Sequence, residues 1–241
     1  MALILTIDTT TSRAGVALLE SHGSGEEATV RAARRAVVTV HSEALLEMID
    51  AVLGEAGTRP HELAAIACAA GPGSFTGLRI GLATAKGLCL GLSKPLLLVP
   101  SLAALVARVR ATEETLVFAC IDAFKGEVYI GRYRSAEGLS PVLIGAEETL
   151  SPTRLCEELR ARAAEGPVVL VGDGMVRWPE LRIAELTAID EGPPDPVDVG
   201  RLAALRWARG ERDDLASACP RYIRLSEAEL LERQRSGSQP T

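Results

Sequence analysis

The chain has 241 residues, a net charge of −6, 47% hydrophobic content and 3% aromatics, enough for one large or two small packed cores. No apolar run reaches membrane-spanning length, and an acidic balance without a concentrated basic face excludes unaided binding of nucleic acid. Five widely spaced cysteines, Cys68, Cys89, Cys120, Cys156 and Cys219, form no CxxC pair and are expected to be buried thiols, not a disulfide framework.

The opening residues, Met1 to Asp8, lack a basic stretch and a small-residue cleavage site, so a first strand and a cytoplasmic protein are expected. Residues 3–8 and 14–19 are predicted strands around a threonine-rich turn, and residues 27–34 a more polar third, together an antiparallel meander. A helix follows over residues 42–56, with Leu45, Met48, Ile49, Val52, Leu53 and Ala56 on one arc and Gly57 just past its end. That arc is wider than one core contact requires.

Residues 64–70 form a continuous apolar strand that runs into Gly71-Pro72-Gly73-Ser74-Phe75-Thr76-Gly77-Leu78-Arg79-Ile80-Gly81 and a helix to residue 92. A strand, a glycine turn and a helix start are where α/β proteins place ligands. The spacing nevertheless excludes the common phosphate loops: no Gly-Lys-Ser/Thr closes it, and its glycines follow GxGxxxG. Ser74 is no nucleophile elbow either, because Pro72 stands where GxSxG needs glycine. Each interior glycine costs about 1 kcal/mol against alanine, so Gly77, Gly81 and Ala85, recurring every four residues, need a close backbone neighbour. Internal packing and a subunit interface both supply one.

Residues 96–99 form another strand, and a helix begins at Ser101. Strands now alternate with helices, which favours parallel pairing. After a charged break at residues 110–114 the plan restarts: residues 116–121 and 128–133 are strands joined at Lys125-Gly126, and Ile121-Asp122 echoes Ile7-Asp8. Asp122 and Glu127 could pose as paired carboxylates, but their places at a hairpin neck explain them equally well. Ser151-Pro152 starts a helix to about residue 164, residues 168–171 form a strand ending in Gly172-Asp173-Gly174, and a proline-rich loop precedes a helix ending near Gly210. Trp178 and Trp207 are expected to belong to the fold. Ser226 and Glu229 make a capping box for a terminal helix, with a frayed tail from residue 236. Two units are expected, residues 1–108 carrying the glycine turn and residues 109–241 carrying the terminal helix.

Two related halves, each opening with a strand pair and an acidic residue at a strand end, resemble the actin/hexokinase/heat-shock-ATPase superfamily. That resemblance implies α/β sub-domains with mixed sheets flanked by helices. More specifically, Ile7-Asp8-Thr9-Thr10, His41 before Leu45-Leu46-Glu47-Met48-Ile49, the GPGSFTGLRIG run, Ile121-Asp122-Ala123, Gly126-Glu127-Val128-Tyr129 and Pro220-Arg221-Tyr222-Ile223-Arg224 closely resemble the bacterial TsaB family, also called YeaZ. The resemblance implies a non-catalytic subunit of the machinery that forms threonylcarbamoyladenosine beside the anticodon of tRNAs. It further implies partnership with the catalytic paralogue TsaD and the accessory ATPase TsaE and contact with tRNA only through that complex, while homodimer or monomer stays open for the chain alone.

The histidine pair that holds the paralogue's metal falls, by order, on Ser101 and Leu105, which cannot replace two imidazoles. His22, His41 and His61 are too scattered to form another pair, so neither a metal nor a cofactor of the isolated chain is expected. A nucleotide at a subunit junction stays open, with Asp8, Gly172, Asp173 and Gly174 as candidates facing it. Against this, Asp8 is followed by a turn without glycine, and Gly172-Asp173-Gly174 also suits a simple turn. The expected docking residues are Leu45, Met48, Ile49, Val52, Gly77, Gly81 and Ala85. The competing class is an active enzyme, a small-molecule kinase or ATPase of the superfamily or, with neither a metal pair nor a serine triad, a peptidase.

Overall fold

The structure, a computed structural model, describes residues 1–23, 26–37, 41–109, 114–135, 141–189 and 192–224. The first sheet is built from β1 (Ala2–Asp8), β2 (Arg13–Ser21), β3 (Thr29–Val37), β4 (Ala65–Gly71) and β5 (Leu96–Pro100), in the order β3-β2-β1-β4-β5. β1 to β3 pair antiparallel as the expected meander, with Asp8 opposite Gly15, whereas β1–β4 and β4–β5 pair parallel. The parallel crossovers are α1 (His41–Glu55) and α2 (Phe75–Leu92), and α3 (Ser101–Val106) follows β5.

The second sheet repeats this plan with β6 (Thr115–Asp122), β7 (Val128–Ser135), β8 (Val142–Leu143), β10 (Val168–Val171) and β11 (Thr187–Ile189), in the order β11-β10-β6-β7-β8, while β9 (Glu148–Leu150) pairs with β7. β6–β7 is antiparallel, and β6–β10 and β10–β11 are parallel. The remaining helices are α4 (Pro152–Glu165), α5 (Gly174–Arg177) and α6 (Pro196–Ala208). The two strand pairs ending in Asp8 and Asp122 thus occupy equivalent places in two actin-like α/β halves. The short β8, β9 and α5 escaped the sequence reading because two to four residues carry no measurable period. The expected helix at Ser226–Glu229 and the tail lie outside the described residues, as do residues 110–113 and the side chain of His41.

Three apolar layers hold the halves. Leu5, Ile7, Val16 and Leu18 on one face of the first sheet pack under α1 and α2, and Phe118, Val128 and Ile130 pack under Leu155 and Leu159 of α4. Between the sheets, Ile4, Leu19, Leu97, Val117 and Ile121 enclose Leu102 and Leu105 of α3 and Val199, Leu202 and Ala203 of α6. α6 follows the second sheet in sequence but packs on β1, β2 and β5 of the first. Its start is fixed there by Thr6, whose hydroxyl donates to Pro196 O at 2.7 Å.

Caps set the helix ends. Ser74 Oγ accepts from Gly77 N at 3.3 Å and Ser93, in the left-handed region at φ 54°, closes α2. Ser151 caps α4 and Asp195 caps α6, whose Val197 N donates to Asp195 Oδ1 at 2.9 Å. These contacts satisfy N–H groups that have no partner inside the helix.

Candidate functional site

The glycine turn closes on the turn that follows β1. Ser74 N donates to Thr10 O at 2.6 Å, and Thr9 Oγ1 donates to Gly77 O at 2.7 Å. A Cβ at Gly77 would stand 1.9 Å from Thr9 O, one at Gly81 2.2 Å from Thr9 Oγ1, and one at Gly73 2.6 Å from Thr10 O. No side chain fits at those distances, so the glycines allow α2 to lie directly on the Thr9–Thr10 turn. Their helix cost is offset inside the chain.

The docking set expected from sequence therefore needs correction. Leu45, Val52 and Ala85 are fully buried, Met48 and Ile49 nearly so, and Gly77 and Gly81 face Thr9. They form the inner seam of α1 and α2, with no free surface in this chain. The two helices expose other residues: Leu90 of α2 is 70% exposed and Leu46 of α1 58%, beside exposed Ala51 and Ala83. Gly54, Gly87 and Gly91 point there too, and nothing lies within 4 Å of where their Cβ atoms would be.

Asp8, at the end of β1, is 1% exposed. Its Oδ1 accepts from Thr10 N at 2.8 Å and Thr10 Oγ1 at 2.6 Å, while Oδ2 has no hydrogen-bond partner. Burial pushes its carboxyl up to about 7, against the pull of the Thr10 hydrogen bonds, and the neighbouring Asp195 and Asp198 add to the rise. The turn that Asp8 holds is covered by Ser74 and α2.

The second half uses its glycines in the same way. Gly172 has φ +117°, and its Cβ would meet Cys120 O at 2.2 Å and Leu105 Cδ1 at 2.8 Å; that of Gly174 would meet Cys120 Sγ at 2.1 Å. Asp173 Oδ1 accepts from Asp122 N at 3.2 Å, and Asp122 Oδ1 accepts from Phe124 N at 3.1 Å. Burial, with Asp122 adding, raises the Asp173 carboxyl to about 6. Gly172, Asp173 and Gly174 thus stand together with Asp122, whereas Asp8 stands with the start of α6. Two cavities of about 260 and 320 Å³ lie elsewhere, by Met1 and Glu62 and by Glu114 and Pro167. Ser101 and Leu105 are buried in α3, with Ser101 Oγ unpartnered. Among the described residues, no three His, Cys, Asp or Glu side chains gather as a metal-ligand cluster.

Sequence reasoning missed the ion network at the start of α6. Arg108 pairs with Asp198 at 2.7 Å, each side chain 5% exposed, and donates to Gly192 O at 2.9 Å. Arg35 pairs with Asp195. Burial drives both Asp195 and Asp198 upward; Arg35, Val197 N and Arg108 outweigh it at Asp195, whose carboxyl lies low, while at Asp198 burial outweighs Arg108. The only signal for this was the proline-rich loop before α6.

Residues 35–165 match the family described as TsaD, tRNA N6-adenosine threonylcarbamoyltransferase. The tRNA threonylcarbamoyladenosine biosynthesis protein TsaB of Escherichia coli is 33% identical over 225 residues, spanning 92% of this chain and 94% of that protein. The protein of the same name from Bacillus subtilis is 29% identical over 233 residues, 94% of this chain and 96% of that one. Among solved structures, YeaZ from Pseudomonas aeruginosa superposes with a TM-score of 0.76 at 32% identity, covering 92% of this chain and all of that one. No helix among the described residues is long and apolar enough to cross a membrane.

Proposed function

The chain belongs to the TsaB (YeaZ) family of tRNA threonylcarbamoyladenosine biosynthesis proteins, and we propose that it serves that pathway as a non-catalytic subunit that docks on and supports the catalytic paralogue TsaD. The observation that carries this reading is that α2 holds two pairs of glycines in different surroundings. One pair, Gly77 and Gly81, is filled by Thr9; the other, Gly87 and Gly91, meets nothing in the chain. Glycines exposed in a helix lower its stability by about 1 kcal/mol each, and a second backbone lying against them offsets that cost.

The docking surface is therefore the outward face of α2, with Ala83, Gly87, Leu90 and Gly91, together with Leu46, Ala51 and Gly54 of α1. Glu47 and Asp50 lie exposed among these α1 residues, and such charges orient a partner more than they tighten it. A paralogue with the same helix pair presents a matching face, so the association is pseudo-twofold, and a second copy of this chain meets the same face when TsaD is absent. TsaE contacts the assembled pair, and tRNA is reached through the complex.

The non-catalytic reading draws support from the turns at Asp8 and Gly172, where atoms of the same chain stand against the glycines, Thr9 and Thr10 against Gly77 and Gly73 and Cys120 against Gly172. The test is reconstitution: the chain alone should neither turn over ATP nor modify tRNA, and adding it to TsaD and TsaE should raise modification. Turnover by the chain alone, lost in Asp8→Ala, would make it an enzyme of the superfamily.

A further inference from the structure

The segment after α6 turns at residues 215–217 and is held by backbone bonds, charge and a few apolar contacts, Leu215 and Ala218 against the layer under α1 and α2 and Ile223 against the layer between the sheets. Asp213 N donates to Leu96 O at 3.0 Å and Asp213 Oδ2 accepts from Leu98 N at 2.7 Å, so the segment starts as an added edge on β5. Lys86 Nζ of α2 donates to Ala218 O at 3.0 Å. Arg221 N donates to Ala70 O at 2.7 Å, and Arg221 O approaches Gly71 so closely that a Cβ there would stand 2.7 Å away. Tyr222 stacks on Phe75 with ring centroids 4.9 Å apart, and Arg79 lies 3.8 Å over the Phe75 ring while its Nε donates to the Tyr222 hydroxyl at 3.1 Å. Apart from Arg206 of α6, which pairs with Asp213 at 3.0 Å, these partners belong to the first half.

The side chains of the same few residues reach the second half. Arg221 pairs at 3.1 Å with Glu147, whose side chain is 2% exposed and also accepts from the Tyr133 hydroxyl. Arg224 pairs with Glu127 and donates to Ala123 O at 3.3 Å, at the turn after β6. Arg221 thus holds β4 through its backbone and the β7–β9 region through its guanidinium. Arg221 thereby reaches the end of β4 that carries the glycine turn, and Arg224, through Ala123 O, the end of β6 that carries Asp122.

From this we infer that residues 213–224 are an intramolecular clasp that sets the two sheets relative to each other and couples the β6–β7 turn to the first turn of α2. Charge-assisted bonds on one side and a ring stack with a backbone bond on the other make the two ends interdependent. Loosening either end frees the same few residues, so the loss spreads to the other. The coupling lies within the chain and holds whichever partner docks on α2.

Hydrogen exchange of the intact chain, read by mass spectrometry, tests it with two variants. Glu127→Ala removes a carboxylate that touches only Arg224 among these residues; amides of residues 71–79 should then exchange about tenfold faster, while those of residues 155–159 in α4 keep their rate. Tyr222→Ala should do the reverse, speeding residues 123–128 by a similar factor, because coupling between two sites is reciprocal. Faster exchange confined to the half that carries the substitution overturns the clasp. So does a uniform rise that includes α4. If one variant does not fold, the other decides alone.

Discussion

Replacing Gly87 with leucine tests the docking face with a change whose two effects have opposite signs. Gly87 lies inside α2 with open space where its Cβ would be, so Gly87→Leu should gain the helix propensity that glycine forfeits, about 0.8 kcal/mol. For a chain of this size that corresponds to a rise in melting temperature of roughly 2–3 °C. The same leucine projects about 4 Å beyond the helix surface and blocks close approach of a second helix, so TsaD should be lost from the co-eluting peak in gel filtration. Gly81→Leu is the control from the other face of the same helix: its Cβ alone would sit 2.2 Å from Thr9 Oγ1, and overpacking should cost 3 kcal/mol or so. Melting by circular dichroism and gel filtration with TsaD read both variants. A Gly87→Leu chain that still binds TsaD at wild-type strength refutes the outward face, and one that melts lower refutes its open geometry. A stable Gly81→Leu chain that has lost TsaD returns docking to the inner seam.

The buried Asp8, with its carboxyl raised from 3.8 to about 7, makes the folded state hold a proton that the unfolded chain releases, so its contribution to stability is full below pH 4 and is lost as pH rises through 7. Asp8→Asn keeps an acceptor for Thr10, and its urea-unfolding free energy should be flatter over that range and exceed wild type at pH 8 by up to about 4 kcal/mol; an unchanged pH profile would mean that Asp8 is ionised at no cost. Arg108→Ala leaves Asp198 buried without its 2.7 Å partner and should lower stability by about 3–5 kcal/mol in urea titrations, where a loss under 1 kcal/mol would show that water replaces the guanidinium. Trp207 is half-buried against the layer between the sheets with Arg212 3.5 Å over its ring. Trp207→Ala should therefore lower stability by roughly 2–3 kcal/mol without affecting TsaD, and the opposite pattern would place the ring at an interface.

The order of strands and helices was legible because each long element carries its own period, and Ser151-Pro152 marks a start that the structure keeps. The direction in which α2 faces was not. A helix apolar all round has no polar side to mark the exterior, and the group that claims Gly77 and Gly81 is the backbone of Thr9, far away in sequence. The inner stripe and the outer stripe, Gly87 and Gly91, look alike until that neighbour is placed. α6 shows the same limit, since Val199, Leu202 and Ala203 make an arc that fits either sheet, and only Thr6 and Gly200, against which Leu19 packs, assign it to the first. The proposed division of the chain near residue 108 is accordingly one of sheets, with α6 crossing back. The clasp left still less trace, because a segment held by main-chain bonds and scattered arginines has no period.

The two halves also explain each other. In each, a strand ends in an aspartate whose Oδ1 accepts the N–H two residues on, Asp8 from Thr10 and Asp122 from Phe124. In each, glycines then let a neighbouring backbone or thiol press against that strand end: Gly73 and Gly77 on Thr10 and Thr9, Gly172 and Gly174 on Cys120. Glycines and strand ends thus pack on each other in both halves, and residues 213–224 tie the halves together. What this arrangement leaves unsatisfied is on the outside, the row of small and apolar residues on α2 and α1. On the proposed reading a second chain covers that row, and the contribution to tRNA modification follows from the partner docked there.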